Sequence, residues 1–122
     1  LNEVKMPLNG TTIGVLGLSY KANVSDLRES PVKELVKLLK ENKANVLTFD
    51  PYVLSKSTAK SLSELFKKSD AILLATDHNE FKKINSEDLK KNGIKVVIDG
   101  KNCLDKESIK KLGIVYKGIG RR

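Results

Sequence analysis

Thr12-Ile13-Gly14-Val15-Leu16-Gly17-Leu18-Ser19-Tyr20-Lys21, followed after a short polar interval by Ser30-Pro31-Val32-Lys33-Glu34-Leu35-Val36-Lys37-Leu38-Leu39-Lys40, decides the fold of this chain. Thr12 to Leu18 is an almost continuous apolar run, the pattern of a parallel strand covered on both faces. Val32, Leu35, Val36, Leu38 and Leu39 recur at spacings of three and four with lysines opposite, which predicts an amphipathic helix from Val32 to Asn42 packed on a sheet. Between them, Ser30-Pro31 is a strong helix start. A serine hydroxyl can accept from a free backbone amide, and proline at the first helical position needs no donor and has its φ preset.

The same alternation continues downstream. Val46 to Phe49 reads as a second strand, stopped by Asp50-Pro51, because proline removes a donor and restricts the residue before it. Ser61 to Lys68 reads as a helix with Leu62, Leu65 and Phe66 inward, and Ala71 to Ala75 as a third strand. Asn85 or Ser86 caps a short helix through Lys91, closed by Asn92-Gly93, before a fourth strand at Lys95 to Asp99. Asp105 to Leu112 is a last helix, stopped by Gly113, and Ile114 to Tyr116 adds a fifth strand. Strand and helix in strict alternation imply right-handed crossovers and a doubly wound parallel sheet of about five strands, an α/β, Rossmann-like fold in three layers. Gly14-Val15-Leu16-Gly17 lacks the full G-x-G-x-x-G pattern, and the residues from Leu18 onward are too bulky for a pyrophosphate to approach the backbone in the usual dinucleotide manner.

The chain's 122 residues suit one domain with one core, and 39% hydrophobic with 31% charged residues is an ordinary globular balance. No apolar run approaches the roughly 20 residues that span a bilayer, and no signal-like pattern opens the chain. A cytoplasmic setting is the expectation. Cys103 is the single cysteine, so neither an intrachain disulfide nor a cysteine-based metal site can form within one chain. It reads as a small, semi-buried residue after a strand. His78 is the single histidine; with no serine or second ligand arranged around it, the expected role is a loop hydrogen bond. The net charge of +8 suits a phosphate-bearing ligand, and it also admits a nucleic-acid-binding module. Most of the lysines fall in helical segments where a solvated face explains them. With no tryptophan and only three tyrosines and three phenylalanines, base-stacking platforms are scarce.

In an open α/β sheet, ligands bind beyond the carboxyl ends of the strands, and the loop from Gly17 to Pro31 places Lys21, Asp26, Arg28 and Glu29 there. Lys21 brings a mobile point charge, and Arg28 a planar fork suited to phosphate or to a carboxylate such as Asp26 or Glu29. A helix N-terminus beside them suits a phosphate or pyrophosphate. Two readings of the loop stand side by side: a ligand site, or a solvated connection whose Arg28 makes a structural ion pair. Asp99-Gly100-Lys101-Asn102 opens at the same edge, where Lys101 is either a ligand contact or a solvated charge.

The segment resembles the start of the C-terminal, UDP-binding domain of the UDP-glucose/GDP-mannose dehydrogenase family. There a strand ends in Gly-Leu, a small residue, an aromatic and Lys, and Asp-x-Arg-Glu-Ser-Pro opens a helix, as Gly17 to Lys21 and Asp26 to Pro31 do here. Phe49-Asp50-Pro51-Tyr52, Leu74-Ala75-Thr76-Asp77-His78 with Glu80-Phe81, and Ile98-Asp99-Gly100-Lys101-Asn102 follow in the family's order. The resemblance implies a parent enzyme that oxidises the C6 hydroxyl of a UDP-sugar to a carboxylate in two NAD-dependent steps. Its catalytic cysteine and hydride-transfer pocket lie in N-terminal and central domains that this chain lacks, so no catalytic residue is expected here and the chain alone should be inactive. By the same resemblance Tyr20, Lys21 and Lys101 contact the nucleotide-sugar, although the family usually carries arginine at the position of Lys101. Arg28 reaches toward the NAD bound mainly by the N-terminal domain. Asp77-His78 with Glu80-Phe81 leans toward the subset acting on UDP-N-acetylmannosamine rather than UDP-glucose.

On this reading residues 1–9 are the residue of a linker from a preceding helical domain and residues 10–122 the UDP-binding domain. The parent enzyme is expected to be a homo-oligomer and this chain a monomer whose partners are the UDP-sugar and the other domains, with no membrane or nucleic acid. The rival from another class is a standalone Rossmann-like regulatory or interaction domain that binds a phosphate-bearing partner at the same edge.

Overall fold

The strand segments pair side by side in one parallel sheet, β1 (Thr12–Leu16), β2 (Asn45–Phe49), β3 (Ala71–Leu74), β4 (Val96–Asp99) and β5 (Val115–Gly118), in the order β2-β1-β3-β4-β5. Among the described residues five helices alternate with them: α1 (Val32–Glu41), α2 (Leu62–Lys68), α3 (Asn79–Lys82), α4 (Ser86–Lys91) and α5 (Lys106–Lys111). This computed structural model describes residues 9–18, 32–76, 78–101 and 104–118. The Ser30-Pro31 start, the loop residues Tyr20, Lys21 and Arg28, and Cys103 lie outside the described residues.

Alternate strand residues feed two cores, as the period of two requires. On one face Ile13, Val15, Ala71 and Val96 meet Val32 and Leu39 of α1. On the other, Leu16, Phe49, Ile72, Leu74, Val97 and Tyr116 meet Leu65 and Phe66 of α2, Phe81 of α3, Leu89 of α4 and Ile109 of α5. The fold is therefore the three-layer α/β/α arrangement expected from the alternation. Gly14 sits on the second face, where a Cβ would lie 2.3 Å from Leu65 Cδ2, so the missing side chain is what lets α2 approach β1.

Three local details depart from the sequence reading. β1 ends at Leu16 rather than Leu18, because Gly17 turns the chain with φ +101°. Leu38 is 56% exposed while Leu39 is 8% exposed; at about 100° per residue, Leu38 falls to one side of the stripe made by Val32, Leu35, Val36 and Leu39. A 3-10 turn at Leu54–Lys56 and the one-turn helix α3 were not foreseen, being too short to show a period.

Side-chain caps set the starts of α2, α4 and α5. Ser61 accepts from the Glu64 amide at 3.1 Å while the Glu64 carboxylate accepts from the Lys60 amide at 2.8 Å, a reciprocal arrangement close to a capping box. Asn85 caps α4 by accepting from Glu87, and Asp105 caps α5 by accepting from Ser108. At the β2 edge, Thr58 Oγ1 accepts from the Thr48 amide at 2.7 Å, and Thr48 O accepts from the amides of Thr58 and Ala59. The segment after β2 thus folds back on its outer edge and blocks further strand addition.

Candidate functional site

The strand order reverses direction between β1 and β3. The chain crosses from β1 to β2 on one side, and β3 returns to the other side of β1. At such a switch point the connections leaving adjacent strands diverge and open a crevice beyond their carboxyl ends. Gly17-Leu18 leaves β1 there, Asp50 leaves β2, Ala75-Thr76 and His78 leave β3, and Gly100-Lys101 leaves β4.

Gly17 is fixed from both neighbours. Its amide donates to Phe49 O at 2.9 Å, and a Cβ on it would lie 2.5 Å from both Cβ and Oγ1 of Thr76. With φ at +101°, the position excludes side chains twice over, by conformation and by space. The space beside this glycine is filled by the protein's own Thr76. It is not a gap into which a pyrophosphate could press, and the described residues hold no dinucleotide cradle.

Asp50 is the organising group. Its Oδ2 accepts from the Leu18 amide at 2.7 Å and pairs with His78 Nε2 at 3.0 Å, while Oδ1 accepts from the Tyr52 amide at 2.9 Å. Both Asp50 and His78 are fully buried. The Tyr52 ring lies 4.8 Å from the imidazole, centroid to centroid, and the Phe81 ring lies 5.3 Å from it on α3. Burial alone would raise the Asp50 pKa; the Leu18 amide, the His78 hydrogen bond, the Tyr52 amide and the imidazole's charge together outweigh it and hold the carboxyl below its ordinary value. The hydrogen bond expected of His78 is thus made to a residue 28 positions earlier, and it joins the exits of β2 and β3.

Asp99 plays a similar part at β4. Its Oδ1 accepts from the Lys101 amide at 3.1 Å, and Oδ2 accepts from the Leu104 amide and from the Tyr116 hydroxyl, each at 2.8 Å. The Gly100 amide donates to Leu74 O at 2.9 Å. The turn that carries Lys101 is therefore pinned from β3, β4 and β5, while Lys101 itself is exposed. Both buried carboxylates accept from backbone amides just beyond the strand ends.

Among the sequence-predicted site residues, the structure places Lys101 at the carboxyl edge; Tyr20, Lys21 and Arg28 lie outside the described residues. Sequence reasoning quoted Asp50 and Asp99 only as parts of motifs and missed what they do. An acidic residue directly at each strand end, one followed by proline and the other by glycine, was the available signal. Among the described residues no group of three or more His, Cys, Asp or Glu side chains could hold a metal ion, and no helix is long and apolar enough to cross a membrane.

Comparison with known proteins agrees with this geometry. The family described as "UDP-glucose/GDP-mannose dehydrogenase family, UDP binding domain" matches residues 14–106, from the middle of β1 to the start of α5. UDP-N-acetyl-D-mannosamine dehydrogenase of Pyrococcus horikoshii is 40% identical over 122 residues, 99% of this chain and 28% of its own length. UDP-glucose 6-dehydrogenase of Rickettsia felis is 38% identical, over 94% of this chain and 28% of its own length. Among solved structures, the NDP-N-acetyl-D-galactosaminuronic acid dehydrogenase of Methanosarcina mazei superposes with a TM-score of 0.92 at 28% identity, covering 100% of this chain and 27% of that one. The chain spans less than a third of the length of these relatives. With the match running through every strand end that builds the crevice except that of β5, this chain belongs to the UDP-binding domain of the UDP-glucose/GDP-mannose dehydrogenase family.

Proposed function

We propose that this chain is the C-terminal, nucleotide-holding part of an NAD-dependent UDP-sugar 6-dehydrogenase, and that it binds the uridine diphosphate end of the substrate at the carboxyl edge of the sheet. The family match over residues 14–106 carries the reading. The geometry supports it, because the ends of the four matched strands open at one edge of the sheet, beside the switch point between β1 and β3. The standalone regulatory domain has no comparable support.

In this reading Tyr20 and Lys21, on the loop beyond Leu18, and Lys101, on the turn pinned by Asp99, contact the nucleotide-sugar. Lys21 and Lys101 supply positive charge to the diphosphate. A lysine at position 101 offers a point charge without the bidentate fork of an arginine, so its hold on phosphate is less directional. Holding the diphosphate away from the reacting carbon contributes orientation and binding energy that the chemical step can use. The C6 oxidation and its catalytic residues belong to the rest of the polypeptide, and the chain alone is inactive. NAD supplies the hydride acceptor when bound, in a cradle outside the described residues, with Arg28 reaching toward it. Residues 1–9 join the domain to the preceding part of the enzyme. The whole enzyme is a cytoplasmic homo-oligomer and this chain by itself a monomer. UDP-N-acetylmannosamine is the favoured substrate, on the Asp77-His78 and Glu80-Phe81 pattern.

Calorimetric titration of the chain with UDP, UMP and inorganic pyrophosphate, repeated with Lys21→Ala, tests the site. Saturable UDP binding tighter than that of UMP or pyrophosphate, and weakened about tenfold or more in Lys21→Ala by loss of a charge-assisted contact, is the expected result. Equal affinity for UDP and pyrophosphate, or no effect of the substitution, would contradict it.

A further inference from the structure

Of the residues assigned to ligand contact, Lys101 stands among the described residues, and the backbone beneath it is restrained from two sides. The first restraint comes from β3. The Gly100 amide donates to Leu74 O at 2.9 Å, just as the Ala75 amide donates to Leu16 O and the Gly17 amide to Phe49 O, each at 2.9 Å. The same bond therefore chains the exits of β4, β3 and β1 to their neighbours. Gly100 has no positive φ, so the backbone there is open to alanine. Space is what excludes a side chain: a Cβ would lie 2.9 Å from Leu74 O, a main-chain atom that cannot swing aside. A glycine at a strand end that does not use its conformational freedom marks a close approach of another backbone.

The second restraint comes from Asp99. Its Oδ1 accepts from the Lys101 amide at 3.1 Å, a side-chain turn onto the backbone two residues ahead. Its Oδ2 accepts from the Leu104 amide at 2.8 Å, so one carboxylate spans the turn from its second residue to its far side. Asp99 is fully buried while Lys101 is exposed. The charge offered to solvent thus stands on a base with little freedom of its own.

We infer that Gly100 and Asp99 are positioning residues, which seat the turn on the end of β3 so that the Lys101 charge is presented at a fixed place on the carboxyl edge. The inference rests on the reading above, in which Lys101 meets the diphosphate. A solvated connection would need neither restraint. It would not require a residue without Cβ at position 100, nor a buried carboxylate to hold amides that water could satisfy. A lysine depends on such a base more than an arginine does, because a point charge on a flexible stem has no fork to set its own geometry. Ordering that stem is a cost of binding, and a mobile backbone beneath it would add to the cost.

A double-mutant cycle on calorimetric UDP affinity tests this. Lys101→Ala is expected to raise the UDP dissociation constant about tenfold, and Gly100→Ala, which lifts the turn off Leu74 O, about fivefold. If Gly100 acts through Lys101, the two changes together should bind UDP within about twofold of Lys101→Ala alone. In the unsubstituted chain, saturating UDP should also slow exchange of the Lys101 amide severalfold, because a seated turn that favours the ligand is favoured by it in return. That measurement decides the matter if Gly100→Ala does not fold. Wild-type UDP affinity in Gly100→Ala, with only a lowered melting temperature, would leave the turn a structural role and overturn the inference. Full additivity in the cycle, or an unchanged Lys101 exchange rate, would overturn it as well. Wild-type affinity in Lys101→Ala would remove its basis while leaving UDP binding by the domain intact, and failure of the unsubstituted chain to bind UDP would overturn both.

Discussion

Asp50 concentrates the physical chemistry of this domain in one side chain. A fully buried carboxylate is held ionised by two amides and an imidazole against the cost of its burial. Since its pKa in the folded chain lies below the unfolded value, the stability it contributes is present above the ordinary carboxylate pKa of 3.8 and is lost as pH falls through the folded value. Asn at this position cannot serve all three donors. With its oxygen toward Leu18 and His78, its amide group faces the Tyr52 N–H; turned over, it faces the other two. Asp50→Asn is therefore expected to be about 1–3 kcal/mol less stable at pH 7. The deficit should shrink as pH is lowered past 3.8 and the wild-type carboxylate takes up its proton. Urea unfolding midpoints of both proteins from pH 7 to pH 3 measure this; a gap independent of pH would show that the charge of Asp50 contributes nothing. The sequence made Asp50 visible only as part of a motif, because the Leu18, His78 and Tyr52 groups that meet its carboxylate lie 32, 28 and 2 positions away. Non-local partners of that kind leave no periodic trace.

The longer elements were legible because their signals are local. The apolar run at β1, the serine and asparagine caps, and glycine after α4 and α5 each report on a few neighbouring residues. All five strands and the four longer helices stand within two residues of where the sequence places them. What was lost was what needs three dimensions: the turn at Leu54–Lys56, the single turn of α3, and the side of α1 on which Leu38 falls. Adjacent leucines of α1 give a sharp check of that last point. Leu39→Ala removes a side chain from the α1 core cluster and is expected to cost about 2–4 kcal/mol, whereas Leu38→Ala should change stability by less than about 0.5 kcal/mol. Denaturant unfolding of the two variants reads the difference directly, and comparable losses would mean that α1 is rotated from the orientation described.

At the scale of the molecule, function depends on which edge of the sheet receives the ligand. The parallel order β2-β1-β3-β4-β5 brings the carboxyl ends of the strands to one edge, with the buried pairs Asp50–His78 and Asp99–Tyr116 beside them. A different concavity, about 340 Å³ in volume, lies between α2 and α4 and is walled in part by Leu62, Phe66, Lys67, Ile84 and Asp88. It is comparable in size to a small-ligand site, but none of its walls comes from the strand ends. The fold alone, shared by many unrelated functions, would not choose between the two places; the proposed reading puts the ligand at the strand edge, on the loop chemistry and the family match. Amide chemical shifts of the isotopically labelled chain titrated with UDP test that choice most directly. The account predicts saturable shifts at Gly17, Leu18, Gly100 and Lys101, with Leu62, Phe66 and Asp88 unmoved; shifts confined to the α2–α4 concavity would contradict it.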